Sequence, residues 1–472
     1  MMKKHNLFKI LSMVILFLVV LTWIIPVANF DGTALTIDAR KMVGFWEIFN
    51  FSNDSISYFG NYLLFVAMVG AFYGVLNKTG AYRNLLDCIA KKFKGKEHLF
   101  LAGLMVLLGI ITSISGLAFE LFIFVPLIIS IILLMGYDKI TALSVIVGSI
   151  LVGLIGSTYG YYGAGVMNSI FALNFNSELL VKVFLFIIPM YLLITYTLKY
   201  AKGIKKSKAG DEEDPLLLAE TVKKETSKKK DKKSTLPIVI ALIFIAVVSI
   251  MGYISWDFAF KTTAFTNFHN WVMGLRIGNF HIFSELFNGS TAFGSWWITD
   301  ITTILFFITI IIPVIYRTSL NDALDGAFEG IKKVLPVMGV ILLINIIFLV
   351  MFNNQFNLTI QDWLITDKFN FITMSLNSII QSTLFVYLPY AAAYTMPVVT
   401  KVITDTTVYG QIGVIFQAMF GLIMFIVPTS LILVAGLAYT GVSYKEWFRY
   451  ILKLVLEIFL VVLAIITIMT LV

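Results

Sequence analysis

Glu120 is a carboxylate set in an apolar stretch, where such a group is costly and functional by default. It closes the run Thr112, Ser113, Ile114, Ser115, Gly116, Leu117, Ala118, Phe119, Glu120, which separates the apolar segments 99–111 and 121–135. Three further breaks carry similar residues: Gly156, Ser157, Thr158 and Tyr159; Pro389 and Tyr390; Pro428, Thr429 and Ser430. Hydroxyls and unwound carbonyls suit a sodium ion, and half-helix N-termini suit a carboxylate. Clusters of this kind bind a solute or ion for a time and let it go. Each hydroxyl taken alone has an alternative, a bond to its own helix backbone. Glu120 has three open roles: pairing with a cationic group of the solute, carrying a proton, or bonding backbone N–H groups at the next helix start. Tyr159, Tyr161, Tyr162, Tyr387, Tyr390 and Tyr394 crowd two of the breaks, where they either line a pocket or fill space. Asn345, Asn377 and Gln381 lie within apolar runs and read as interhelical glue.

The elements that must position these residues follow from composition. The chain has 472 residues, 59% hydrophobic and 13% charged, with a mean hydropathy of +0.91. Repeated apolar runs of near-spanning length make it an all-α polytopic membrane protein. The net charge of +8 comes from lysines gathered in a few loops. That is an orientation signal and not a nucleic-acid footprint. Cys88 is the sole cysteine, and the four histidines show no metal-ligand spacing. No cofactor is implied, and no phosphate-cradling glycine loop is present.

Nine spans are expected: 7–25, 58–76, 140–163, 179–198, 236–253, 296–315, 334–352, 409–433 and 448–472. Segments 99–135 and 371–404 each read as two short apolar arms around a break, the pattern of a re-entrant hairpin. Residues 78–98 read as a basic amphipathic surface helix and 320–333 as a second surface helix. Residues 27–57, 255–295 and 353–370 read as outer loops. Residues 199–235, rich in Lys and Glu, read as a charged cytoplasmic linker between membrane halves 1–198 and 236–472. The order span, surface segment, hairpin, broken span, span occurs twice, and the charge rule gives the two copies opposite orientation. That is an inverted repeat with discontinuous helices in matching positions, the sequence signature of a secondary transporter.

At these breaks the sequence resembles the YfcC/DcuC-type carriers of the ion-transporter superfamily. The residues that carry the resemblance are Lys78, Thr79, Gly80; Gly136, Tyr137, Asp138; Gly156, Ser157, Thr158; Met396, Pro397; Pro428, Thr429, Ser430; and Gly441 to Trp447. The resemblance covers most of 76–455. It implies a scaffold part and a transport part, the latter with two opposed hairpins and two unwound helices around a central site. It also implies a cargo among C4-dicarboxylates, basic amino acids and other small charged metabolites. The sequence departs from the family pattern in three places. Gly160 and Tyr161 stand where an Asn-Pro pair is common. Tyr390, Ala391, Ala392 and Ala393 replace a Ser/Gly-rich tip, and Phe119 and Glu120 replace an acidic pair.

The reading is therefore a secondary active transporter in a bacterial inner membrane, N-terminus cytoplasmic, not an enzyme. Its solute is a small charged metabolite, an amino acid ahead of a dicarboxylate, with basic amino acid antiport as one form. The breaks hold no Arg or Lys to receive a second carboxylate. Sodium or proton coupling and a homodimer are further expectations, with membrane lipid the other partner. The readings from other classes are a membrane-embedded enzyme and a non-transporting scaffold or sensor.

Overall fold

The computed structural model describes residues 2–204 and 233–471. Most of the expected linker, 205–232, lies outside the described residues. Its first residues belong instead to the helix Leu179–Gly203, and the next helix is Leu236–Tyr253.

Among the described residues nine helices are long and apolar enough to cross a membrane. The number agrees with expectation, but the identities differ. Glu97–Ser115 is a helix of 19 residues, because Thr112 to Ser115 continue it. Ser115 bonds its hydroxyl back to the Ile111 carbonyl at 2.6 Å, and the helix stops at Gly116 in the left-handed region (φ 79°). Lys139–Ile155 falls short of that length and contains a wider turn at Ser144–Gly148.

All three expected outer loops contain helix; in 255–295 it is Ala264–Gly274 with the short pieces Trp256–Ala259 and Ile282–Leu286. Residues 45–57 open the long helix Phe45–Lys78, where Glu47 accepts a bond from the Gly44 N–H at 3.3 Å. The short surface helix at 320–333 is continuous with the span that follows, giving Leu320–Asn354. Ala323, Gly326, Gly330, Val334 and Val337 form one buried stripe along it, so its packing face runs through Pro336 without interruption. Phe356–Leu364, expected as loop, is a buried short helix. The second hairpin breaks at 385–387, earlier than expected, because Pro389 sits in the first turn of Leu388–Val402.

The order of elements recurs in the two halves, and the two longest helices pair antiparallel. Phe59 meets Phe348 with ring centroids 5.2 Å apart, and Lys78 meets Glu329 at 3.1 Å near the other end. Between these contacts Gly70 and Gly74 face Gly330 and Gly326. A Cβ on Gly70 would lie 2.7 Å from the Gly330 carbonyl oxygen, so the backbones touch through two small-xxx-small faces.

Each break has its freed carbonyls bonded by side chains, as backbone away from water demands. Ser113 donates to the Gly156 carbonyl at 2.6 Å, and Gln417 donates to the Ile155 and Ser157 carbonyls at 3.1 and 3.0 Å. In the second half, Thr429 donates to the Thr383 carbonyl at 2.9 Å. Trp447, wholly buried, donates to the Phe425 carbonyl at 2.9 Å. Tyr444 donates to the Ile426 carbonyl. The segment Gly441 to Trp447 is thus a clamp on the second break. Gly441 ends the helix Leu431–Thr440, and Ser443 and Glu446 cap the start of Tyr444–Leu471.

Candidate functional site

A cavity of about 430 Å³ opens where all four breaks meet. Gly116, Phe119 and Glu120 come from the first hairpin, and Tyr387, Pro389 and Tyr390 from the second. Tyr161, Tyr162 and Ser169 come from the first broken helix, and Met424 and Ser430 from the second. Tyr62, Tyr253 and Trp297 close it from Phe45–Lys78, Leu236–Tyr253 and the residue that caps Ile298–Ile315.

Two glycines let the first tip form. Gly116 supplies the left-handed turn, and a Cβ on Gly160 would lie 2.5 Å from the Gly116 nitrogen. The tip and the first broken helix therefore touch backbone to backbone. Phe119–Ile123 follows as a single tight turn and carries Glu120 to the cavity wall. One Glu120 oxygen accepts from the Tyr253 hydroxyl at 3.0 Å, and the other accepts from the Ala118 N–H at 3.2 Å.

Aromatic rings surround the carboxylate. Tyr62 lies 5.4 Å from Tyr387, and Tyr162 lies 5.6 Å from Tyr253 and 5.5 Å from Trp297, centroid to centroid. Tyr387 donates to the Asn345 side-chain oxygen at 3.1 Å. Among the described residues lining the cavity, Glu120 is the one carboxylate, and no Lys, Arg or His joins it.

Of the residues singled out in the sequence, Gly116, Glu120, Tyr161, Tyr162, Tyr387, Pro389, Tyr390 and Ser430 line the cavity. Ser113, Ser115, Gly156, Ser157, Thr158, Tyr159, Pro428 and Thr429 do not. Ser113, Gly156, Ser157 and Thr158 instead tie the first hairpin to the first broken helix. The Thr158 N–H donates to the Ser113 carbonyl at 2.8 Å, and the Ser157 hydroxyl donates to the same carbonyl at 3.5 Å. Tyr159 turns away and donates to Asn176 at 3.3 Å. Ser430 caps Leu431–Thr440, and that helix and Leu388–Val402 both open their N-termini on the cavity. Tyr62, Tyr253 and Trp297 were not singled out. Tyr62 and Tyr253 are lone hydroxylated rings within spans, a weak signal, and Trp297 reads as a bilayer-interface marker.

The tie predicts a stability effect. Ser113→Ala leaves the buried Gly156 carbonyl without its donor and is expected to destabilise the protein by about 1–3 kcal/mol. Thermal melting in detergent measures it; an unchanged melt would mean that the remaining Thr158 bonds suffice.

Spanning helices interrupted at matching positions, with the interruptions converging on one cavity, define a multi-span membrane carrier. The model of the C4-dicarboxylate anaerobic carrier family, DcuC, matches residues 5–471, and the chain belongs to that family. An uncharacterized protein of Haemophilus influenzae is 20% identical over 420 residues, covering 83% of this chain and 72% of that one. An Escherichia coli protein named "Putative basic amino acid antiporter YfcC" is 23% identical over 145 residues, 31% of this chain and 29% of that one. Two solved structures align along nearly the whole chain. They are the Alcanivorax borkumensis YdaH transporter (10% identity, TM-score 0.41, 98% of this chain and 97% of that one) and Neisseria gonorrhoeae MtrF (13%, 0.40, 98% and 94%). Scores at that level do not pair individual residues.

Proposed function

We propose that this carrier moves an amino acid, with the solute's ammonium at Glu120 and its carboxylate at the helix N-termini of Leu388–Val402 and Leu431–Thr440. The observation that carries the reading is the charge of the cavity: one carboxylate, ringed by aromatic faces, with no basic side chain beside it. An ammonium satisfies Glu120 by a charge-assisted bond and gains from the rings. A helix N-terminus holds a carboxylate without a lysine. The name of the YfcC relative points the same way, toward amino acids and exchange.

The family description favours a second reading, a C4-dicarboxylate. That solute brings two negative charges toward Glu120, so it requires a protonated Glu120. Under either reading Glu120 is the natural seat of a coupled proton, ahead of a sodium site. The membrane is taken as a bacterial inner membrane, with the lysine-rich loops and the N-terminus on its cytoplasmic side.

Thermal stabilisation of the purified protein tests the choice, because a ligand of the folded state raises the melting temperature. Amino acids are expected to stabilise and succinate or fumarate not, at neutral pH. Stabilisation by the diacids alone would replace the reading with the second. Stabilisation by sodium without a solute would move the coupling away from Glu120.

A further inference from the structure

Resting on the reading that an amine docks at Glu120, we propose that the amino acid carried has a bulky apolar side group, aromatic for preference, and not a basic one. A basic amino acid brings two cations to a cavity that holds one carboxylate. Its second ammonium or guanidinium would be left without a carboxylate to pair with, in a cavity whose lining is mostly aromatic and aliphatic. Glu120 carries a single negative charge, which the first ammonium neutralises, so a second cation stays unbalanced.

The rest of the cavity is shaped for apolar bulk. Its volume of about 430 Å³ falls in the range of roughly 300–1,000 Å³ that takes drug-sized ligands. A four-carbon acid or a small amino acid would leave much of it unfilled. Much of the lining is apolar or aromatic, including Phe119, Leu151, Leu154, Ile170, Tyr390 and Trp297. Tyr387 and Tyr390 both line the cavity and pack edge to face on each other, 5.9 Å between centroids, so together they offer ring surface against which an aromatic side group can pack. Tyr390 and Trp297 are the most exposed of the cavity's aromatics, at 37% and 56%, so they form the side by which a side group enters.

Four probes decide between these possibilities: L-phenylalanine, L-alanine, L-lysine and 3-phenylpropionate, which keeps the phenylalanine skeleton but lacks the amine. Apparent affinities come from concentration-dependent thermal stabilisation, with uptake into proteoliposomes as the second readout. The expected result is L-phenylalanine at least tenfold tighter than L-alanine and L-lysine, with 3-phenylpropionate not binding. Tyr390→Ala should weaken L-phenylalanine at least threefold more than it weakens L-alanine. Equal or tighter binding of L-lysine or L-alanine overturns the apolar side group while the amine reading stands. Binding of 3-phenylpropionate as tight as L-phenylalanine overturns the amine reading itself. No stabilisation by any probe, in a sample that melts cooperatively, overturns both.

Discussion

Glu120→Gln is expected to weaken amino acid binding by about two to three orders of magnitude and to abolish pH-dependent uptake, in a protein that still folds. Removing one partner of a buried ion pair costs about 3–5 kcal/mol, and each 1.4 kcal/mol is a factor of ten. The fold should survive because the amide has the same shape, and its oxygen still accepts from Tyr253. Uptake into proteoliposomes and affinity from thermal shifts give the two numbers, and the unliganded melt is the control. Unchanged flux and pH profile would leave Glu120 the structural role alone, a cap on the Ala118 N–H. Loss of affinity with a preserved pH profile would keep the ammonium site and remove the coupled proton from it.

A second large effect is expected far from the cavity. Gly330→Leu should prevent the two longest helices from packing. At Gly330 an added Cβ alone falls well inside van der Waals contact of the Gly70 carbonyl oxygen, and leucine adds three more carbons. Overpacking in a core typically costs about 1–3 kcal/mol. Here the obstacle is backbone and cannot rotate aside, so the cost should exceed that range. The expected outcome is loss of monodisperse protein, or a melting temperature lowered by more than any cavity variant lowers it. Gly103→Leu is the matched control, since nothing lies within 4 Å of a Cβ there. A Gly330→Leu protein that purified and melted like the parent would mean that the glycine faces are not in contact in the membrane.

Much of the architecture was legible because bilayer thickness fixes helix length and apolar composition reveals it. The helices Leu179–Gly203, Leu236–Tyr253 and Ile298–Ile315 fall close to their expected limits for that reason. The ends of polar-looking helices were not legible. Residues 45–57 and 320–333 carry charged and polar side chains, and only the partner helix shows that Phe51, Ser55, Gly326 and Gly330 are buried. At the site, the breaks announced themselves through glycine, proline and hydroxyls, but the hydroxyls misdirect. Thr158 bonds the Ser113 backbone across 45 residues of sequence and Ser113 bonds the Gly156 backbone across 43, contacts no local pattern encodes. The rings that complete the cavity come from three separate helices and share no motif. Glu120 was readable because a carboxylate at that depth is rare; its partner Tyr253, 133 residues away, was not.

The clamp that Tyr444 and Trp447 place on the second break bears on biosynthesis. The carbonyls of Phe425 and Ile426 gain these partners only after the ribosome has translated some twenty further residues and the Tyr444–Leu471 helix has begun to enter the membrane. Until then those two carbonyls lack their side-chain donors, and a nascent chain stalled before Tyr444 holds that break without its clamp. Quality-control proteases that sample unfinished membrane proteins would find their target there, in the loop between Ile423 and Leu431.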